Sequence, residues 1–276
     1  MAEKPGPLGS RTVSRNPRSW SWIWVGVCHP SEITILRPVR ADGRQPNELR
    51  PVRITPNFIE AADGSALMEI GRTRLICTAS IDNNVPGWMR GQGRGWVTAE
   101  YGMLPGSTGD RKPRDISKGK LDGRSSEIQR LIGRSLRAVT DLTALGERSV
   151  WVDCDVIQAD GGTRCAGIVG GYVALALALG TLVAAGELPA LPFTTPVAAI
   201  SVGIVDGEPR LDLPYEEDSR AEVDMNVVMT GDGRLVEVQS TAEGRTFSPR
   251  DLSALVELAL GSLSAIRVAQ DEALRA

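Results

Sequence analysis

Histidine is almost missing from this sequence: among 276 residues the only one is His29, in an N-terminal tail. Chemistry in the remainder therefore runs without imidazole. That excludes Ser-His-Asp and Cys-His nucleophilic catalysis, and ordinary histidine zinc sites. Cysteines are four (Cys28, Cys77, Cys154, Cys165), with neither metal-ligand spacing nor the density of a disulfide framework. Three of them sit in apolar surroundings, where a free thiol behaves as a small hydrophobe, so a reducing cytoplasm is the expected setting. No Gly-x-x-x-x-Gly-Lys-Ser/Thr loop occurs, and no dinucleotide fingerprint follows a strand-like run. A net charge of -3 gives no global pull on a polyanion.

Residues 1–36 do not read like the rest. Trp20, Trp22 and Trp24 lie in a short apolar run after Arg11, Arg15 and Arg18, superficially like a signal peptide. The run lacks a small-x-small cleavage site and ends in Cys28-His29-Pro30. Val25-Gly26-Val27 puts a branched side chain where a lipoprotein signal wants a small one. The expectation is a disordered extension or an upstream start codon, followed by one domain over residues 37–276.

Within that domain, Pro51–Ile59 and Ser65–Ile81 read as strands joined at Asp63-Gly64. Residues 82–123 are rich in Gly, Pro and charge around a strand, Gly95–Tyr101; loop systems of such length tend to carry function. Apolar spacing predicts a helix over Ser126–Leu145, then a strand over Ser149–Ile157. Cys165–Gly186 follows without a charge, long enough to resemble a membrane span. Its five glycines and the turn before it favour a helix buried in a core, and no membrane association is expected. Four strand-like runs come next, Val197–Val205, Arg210–Leu213, Val223–Met229 and Leu235–Gln239, with hairpin signals at Asp206-Gly207 and Gly231-Asp232-Gly233. An amphipathic helix over about Pro249–Gln270 closes the chain. Strands, helix, strand, helix, strands, helix is a mixed α/β (α+β) order, unlike the regular alternation of a doubly wound sheet.

Charge is locally uneven. Five arginines between Arg37 and Arg53 face only Asp42 and Glu48, and Arg111–Arg124 is similarly basic. Such segments suit either steering of a polyanion or a plain solvated loop. Gln158-Ala159-Asp160-Gly161-Gly162-Thr163-Arg164 lies between a strand and the long helix. Its glycines let the backbone approach an oxyanion, the helix start offers free N–H groups, and the guanidinium supplies a two-pronged charge. A tight turn capped by Thr163 explains the same residues. Arg124 begins another helix and is either an exposed surface arginine or a second grip on the same anion. Asp218 and Asp224 sit at adjoining hairpin ends, where two carboxylates can hold Mg²⁺, one can donate a proton, or both can belong to an acidic surface loop. Phosphate, carboxylate and metal together point to phosphoryl transfer.

At these residues the chain resembles the ribonuclease PH family, bacterial phosphate-dependent 3′ exoribonucleases that trim tRNA precursors. The likeness runs from Asp42-Gly43-Arg44 and Glu48-Leu49-Arg50-Pro51-Val52 through Gly95–Tyr101, Glu127–Ile132 and Asp153–Val156 to Gln158–Arg164. It continues at Glu217-Asp218-Ser219, Asp224–Val228 and Thr241-Ala242-Glu243-Gly244, covering almost everything after the tail.

The resemblance implies a ribosomal-protein-S5-like fold and a homo-hexameric ring, a trimer of dimers, acting on tRNA precursors and other RNA 3′ ends. Inorganic phosphate would be the co-substrate, bound by Arg124, Gly162, Thr163 and Arg164. Asp218 and Asp224 would be the catalytic, Mg²⁺-binding pair, and Arg111 and Arg114 would contact RNA. Two departures stand out. Gly106 occupies a position where many relatives carry a basic residue, and Ser240 replaces a usual glycine. A non-catalytic RNA-binding ring subunit is the competing expectation, and a metal-dependent hydrolase, which needs no phosphate arginines, is a third.

Overall fold

A computed structural model of the chain describes residues 40–114, 119, 122–244 and 246–276. The expectations for the tail at 1–36, including His29 and Cys28, lie outside the described residues.

Among the described residues nine strands form two sheets. The first has the order β1-β2-β3-β5-β4, from β1 (Val52–Pro56), β2 (Gly64–Ile70), β3 (Thr73–Asp82), β4 (Trp96–Met103) and β5 (Ser149–Gln158). Only β4 and β5 run parallel. The second, fully antiparallel sheet has the order β7-β6-β8-β9. Its strands are β6 (Val197–Val205), β7 (Glu208–Leu211), β8 (Val223–Thr230) and β9 (Leu235–Ala242). The run expected as one strand over Ser65–Ile81 is a hairpin. Its apolar alternation continues through the turn, and only Gly71, at φ 55°, marks where the chain reverses.

Helix α1 (Gly123–Val139) packs on β4, and a separate short turn, α2 (Leu142–Leu145), follows it. The single helix expected there is broken because the Asp141 carboxylate accepts from the N–H groups of Thr143 and Ala144, capping a new start. Helix α3 (Thr163–Ala184) carries the uncharged run after Arg164, and sixteen of its 22 residues are buried, against both sheets. A β-carbon on Gly64 would stand 2.2 Å from the Ala174 carbonyl oxygen, so strand β2 rests directly on the helix backbone. Such close packing accounts for the missing charges. Trimming a fully buried residue such as Leu175 to alanine is expected to cost about 2–5 kcal/mol. One helical turn, α4 (Tyr215–Asp218), links β7 to β8. The terminal helix is two helices, α5 (Pro249–Gly261) and α6 (Leu263–Arg275), separated at Ser262. Ser248 and Asp251 form a reciprocal capping box at the start of α5.

Candidate active site

The beginnings of α1 and α3 face one cavity of about 260 Å³. Arg124 and Arg164 are each the second residue of their helix, so both guanidiniums stand where the helix dipole already favours an anion. Gly162 is the N-cap residue of α3, in left-handed conformation at φ 70°, following Gly161 at φ 76°. Two successive residues of that kind are accessible to glycine with little strain. Thr163 is not the cap. Its hydroxyl instead accepts from the buried Tyr101 phenol at 2.9 Å, tying α3 to β4. Burial pushes the Tyr101 hydroxyl up, keeping it a neutral donor.

The aspartates arrive from the second sheet. Asp218 ends α4 and Asp224 is the second residue of β8, opposite Gly203 on one side and Thr241 on the other. Strand alternation turns Val223 and Met225 into the core and leaves Asp224 and Asn226 lining the cavity. Arg124, Gly162, Thr163, Arg164, Asp218 and Asp224 thus line one space, beside Lys112 and Ser201. Arg114 lines an adjoining cavity of about 600 Å³ that shares Lys112 and Arg124 with the first, and Arg111 is exposed on the same segment.

Burial pushes the Asp218 carboxyl above its ordinary value, with Arg124 and Arg164 opposing it. Asp224 is pushed up to about 6, first by burial and then by the neighbouring charge of Asp218, again against the two arginines. Two carboxylates raised by burial, one of them further by the other, within reach of an anion site are short of positive charge. A Mg²⁺ ion fits this donor set, because it binds through one or two carboxylates plus substrate phosphate and retains waters. Among the described residues no cluster of three or more metal-ligating side chains competes with it.

The basic stretch at 37–53 has a role that neither sequence-based expectation captured. Arg40, Arg44 and Arg50 are 3%, 9% and 5% exposed and bind internal carboxylates, not solvent or a polyanion. Arg40 forks onto both oxygens of Glu217, at 3.1 and 2.7 Å, and Arg210 adds a contact to the same carboxylate at 3.0 Å. Glu217 is 1% exposed, so the turn that presents Asp218 is anchored by the residue before it. Arg50 forks onto Asp212 at 2.9 and 2.7 Å. Neighbouring acids in Tyr215-Glu216-Glu217-Asp218 look alike in sequence. Nothing in that run marks one as an internal anchor: the arginine that forks onto it lies 177 positions away, and Arg210, seven positions before it, reads like any surface arginine.

Of the two departures, a β-carbon added at Gly106 would meet nothing within 4 Å. Ser240 Oγ is buried without a hydrogen-bond partner among the described residues.

Comparisons with known proteins identify the family. Two models of the 3′ exoribonuclease family match, domain 1 over residues 48–179 and domain 2 over residues 195–262. A ribonuclease PH from Moorella thermoacetica is 54% identical over 236 residues, covering 86% of this chain and 94% of that protein. An Archaeoglobus fulgidus exosome structure with RNA bound to the active site superposes with a TM-score of 0.70 at 23% identity, covering 83% of this chain and 92% of that one. An archaeal exosome core gives 0.67 at 22% identity, covering 83% and 90%. At that identity the two structures speak for the fold alone. The family models and the bacterial relative say more: this chain belongs to the ribonuclease PH branch of the 3′ exoribonuclease family.

Proposed function

We propose that this chain is a phosphate-dependent 3′-to-5′ exoribonuclease that trims the 3′ ends of tRNA precursors and other RNAs in the cytoplasm. The observation that carries the reading is the convergence of two helix-start arginines, a double-glycine turn and two aspartates on one cavity. Inorganic phosphate sits against Arg124, Arg164 and the backbone of Gly162 and Thr163, and its negative charge is met by two forks and the helix ends. One phosphate oxygen attacks the phosphorus of the last phosphodiester, and the bond to the 3′ oxygen of the penultimate nucleotide breaks. That oxygen leaves as the new 3′ hydroxyl after taking a proton, and the product is a nucleoside 5′-diphosphate. The step is reversible, so nucleotides can also be added to 3′ ends.

Arg124 and Arg164 hold the attacking group in line and neutralise charge that spreads onto the equatorial oxygens. Asp218 and Asp224 would hold Mg²⁺, which when bound adds a Lewis acid to the same charge problem. Asp224 also stands where a protonated carboxyl can serve the departing oxygen. Arg111 and Arg114 bind the RNA body. The working assembly is a homo-hexameric ring, a trimer of dimers, which gathers the basic segments of several subunits on an acidic protein.

The test is incubation of the protein with a tRNA carrying a 3′ trailer and Mg²⁺, with and without inorganic phosphate, with the released nucleotides identified. Diphosphates appearing only with phosphate are the expected result. Monophosphates in its absence would make the protein a hydrolase, and binding without product would make it a non-catalytic subunit. Sedimentation at working concentration checks the ring.

A further inference from the structure

The Asp160–Gly162 turn is held from behind, on the side away from the cavity. Arg50 Nη1 donates to the Asp160 carbonyl oxygen at 2.5 Å. The hydroxyl of Thr73, a fully buried residue, donates to the Gly161 carbonyl oxygen at 2.7 Å and accepts from the Asp160 N–H at 2.9 Å. In a trans peptide the carbonyl and the next N–H point in opposite directions. Fixing the carbonyls of residues 160 and 161 toward Arg50 and Thr73 therefore fixes the N–H groups of Gly161 and Gly162 the other way. Both glycines line the cavity there, and neither N–H has a partner among the described residues.

Arg50 is itself oriented. The Asp212 carboxylate accepts from the Arg50 Nε, Nη2 and backbone N–H at 2.9, 2.7 and 2.8 Å, and from Arg44 Nη1 at 3.3 Å. Burial alone would push the Arg50 guanidinium down, but its bonds to Asp212 outweigh that and leave it above its usual value. Asp212 adopts φ 53°, a left-handed conformation uncommon outside glycine. It is kept there by its N–H bond to the Ser201 carbonyl at 2.7 Å and by Arg40 and Arg44 on its own carbonyl. A strained residue held by so many partners is the pattern expected where precise placement matters.

We propose that Asp212, Arg50 and Thr73 are positioning residues for phosphate: they fix the peptide planes of the glycine turn so that its N–H groups face the attacking oxyanion. The inference rests on the reading of that turn as the phosphate site.

The experiment measures binding of inorganic phosphate to the RNA-free full-length protein by calorimetry, alongside KM for phosphate and KM for RNA in phosphorolysis. The variants are Thr73→Val, Thr73→Ser, Arg50→Lys and Arg164→Ala, each checked for folding by its melting curve. Thr73→Val keeps the volume and removes both hydrogen bonds, so it stays interpretable should Arg50→Lys fold poorly. Freeing a held carbonyl is expected to weaken phosphate about tenfold, with KM for RNA within about twofold of the parent. Thr73→Ser restores the hydroxyl and the affinity. Unchanged phosphate affinity in folded Thr73→Val, with affinity lost in Arg164→Ala, overturns the positioning role and leaves the phosphate site standing. Unchanged affinity in Arg164→Ala removes both.

Discussion

Two groups of arginines and carboxylates lie back to back across the glycine turn, and they are built on opposite terms. Behind it, Arg40, Arg44, Arg50 and Arg210 meet Asp212 and Glu217 in short, buried, mutually satisfied contacts. In front, Arg124 has no hydrogen bond or ion pair among the described residues, and Arg164 has only two long contacts, to Gln239 Oε1 at 3.3 Å and to Glu127 at 3.7 Å. The aspartates there are pushed up, not down. The same residue types make a cluster complete in itself on one side and a charge pattern awaiting a ligand on the other. Saturation of pairing, more than residue type, separates scaffold from site.

The comparison breaks most visibly at Glu217. Glu217→Ala leaves Arg40 and Arg210 buried with one carboxylate fewer, and a loss of about 3–5 kcal/mol in unfolding free energy is expected by denaturant titration. Arg164→Ala should do the reverse. Phosphate-dependent decay falls by about a hundredfold or more, while the melting temperature stays near that of the parent. If Glu217→Ala were stable, or Arg164→Ala unfolded, the division would be wrong.

A smaller effect sharpens it through pH. Asp224 is raised from an ordinary 3.8 to about 6, so well below 3.8 its carboxyl is protonated in both folded and unfolded chains. The advantage this gives the folded form is lost as pH rises through 6, where the buried group must ionise. Asp224→Asn removes the penalty. It should raise the unfolding free energy at pH 8 in divalent-free buffer by an amount on the order of 1–2 kcal/mol, and leave it nearly unchanged at about pH 3. Catalysis should be lost in the same variant while RNA binding remains.

Smallest is the surface. Arg111→Ala with Arg114→Ala should raise KM for tRNA a fewfold, with a shallower salt dependence, and spare phosphate affinity. Gly106→Lys, at a position with open space, should lower it.

Much of the front side could be read from the chain. Gly161-Gly162-Thr163-Arg164 is contiguous, Arg124 marks a helix start, and Asp218 and Asp224 are six positions apart. The rear cluster could not, since Arg40 to Glu217 and Arg50 to Asp212 span 177 and 162 positions. Local charge counting takes such arginines for exposed ones. Apolar alternation hid the reversal at Gly71, and unbroken helical spacing hid the stop at Ser262. The first turns on one glycine's backbone and the second on Ser262, whose hydroxyl and N–H both turn back to the Ala259 carbonyl, and periodicity is blind to both.

Glu217 and Asp218 share one peptide bond, one facing inward and the other outward. An aspartate mounted on a flexible loop would wander before the protein melted, and activity would fade at temperatures where the fold survives. Here the working group adjoins a buried carboxylate held by two arginines. On heating, turnover should hold until the fold itself gives way, and the two losses should trace one curve.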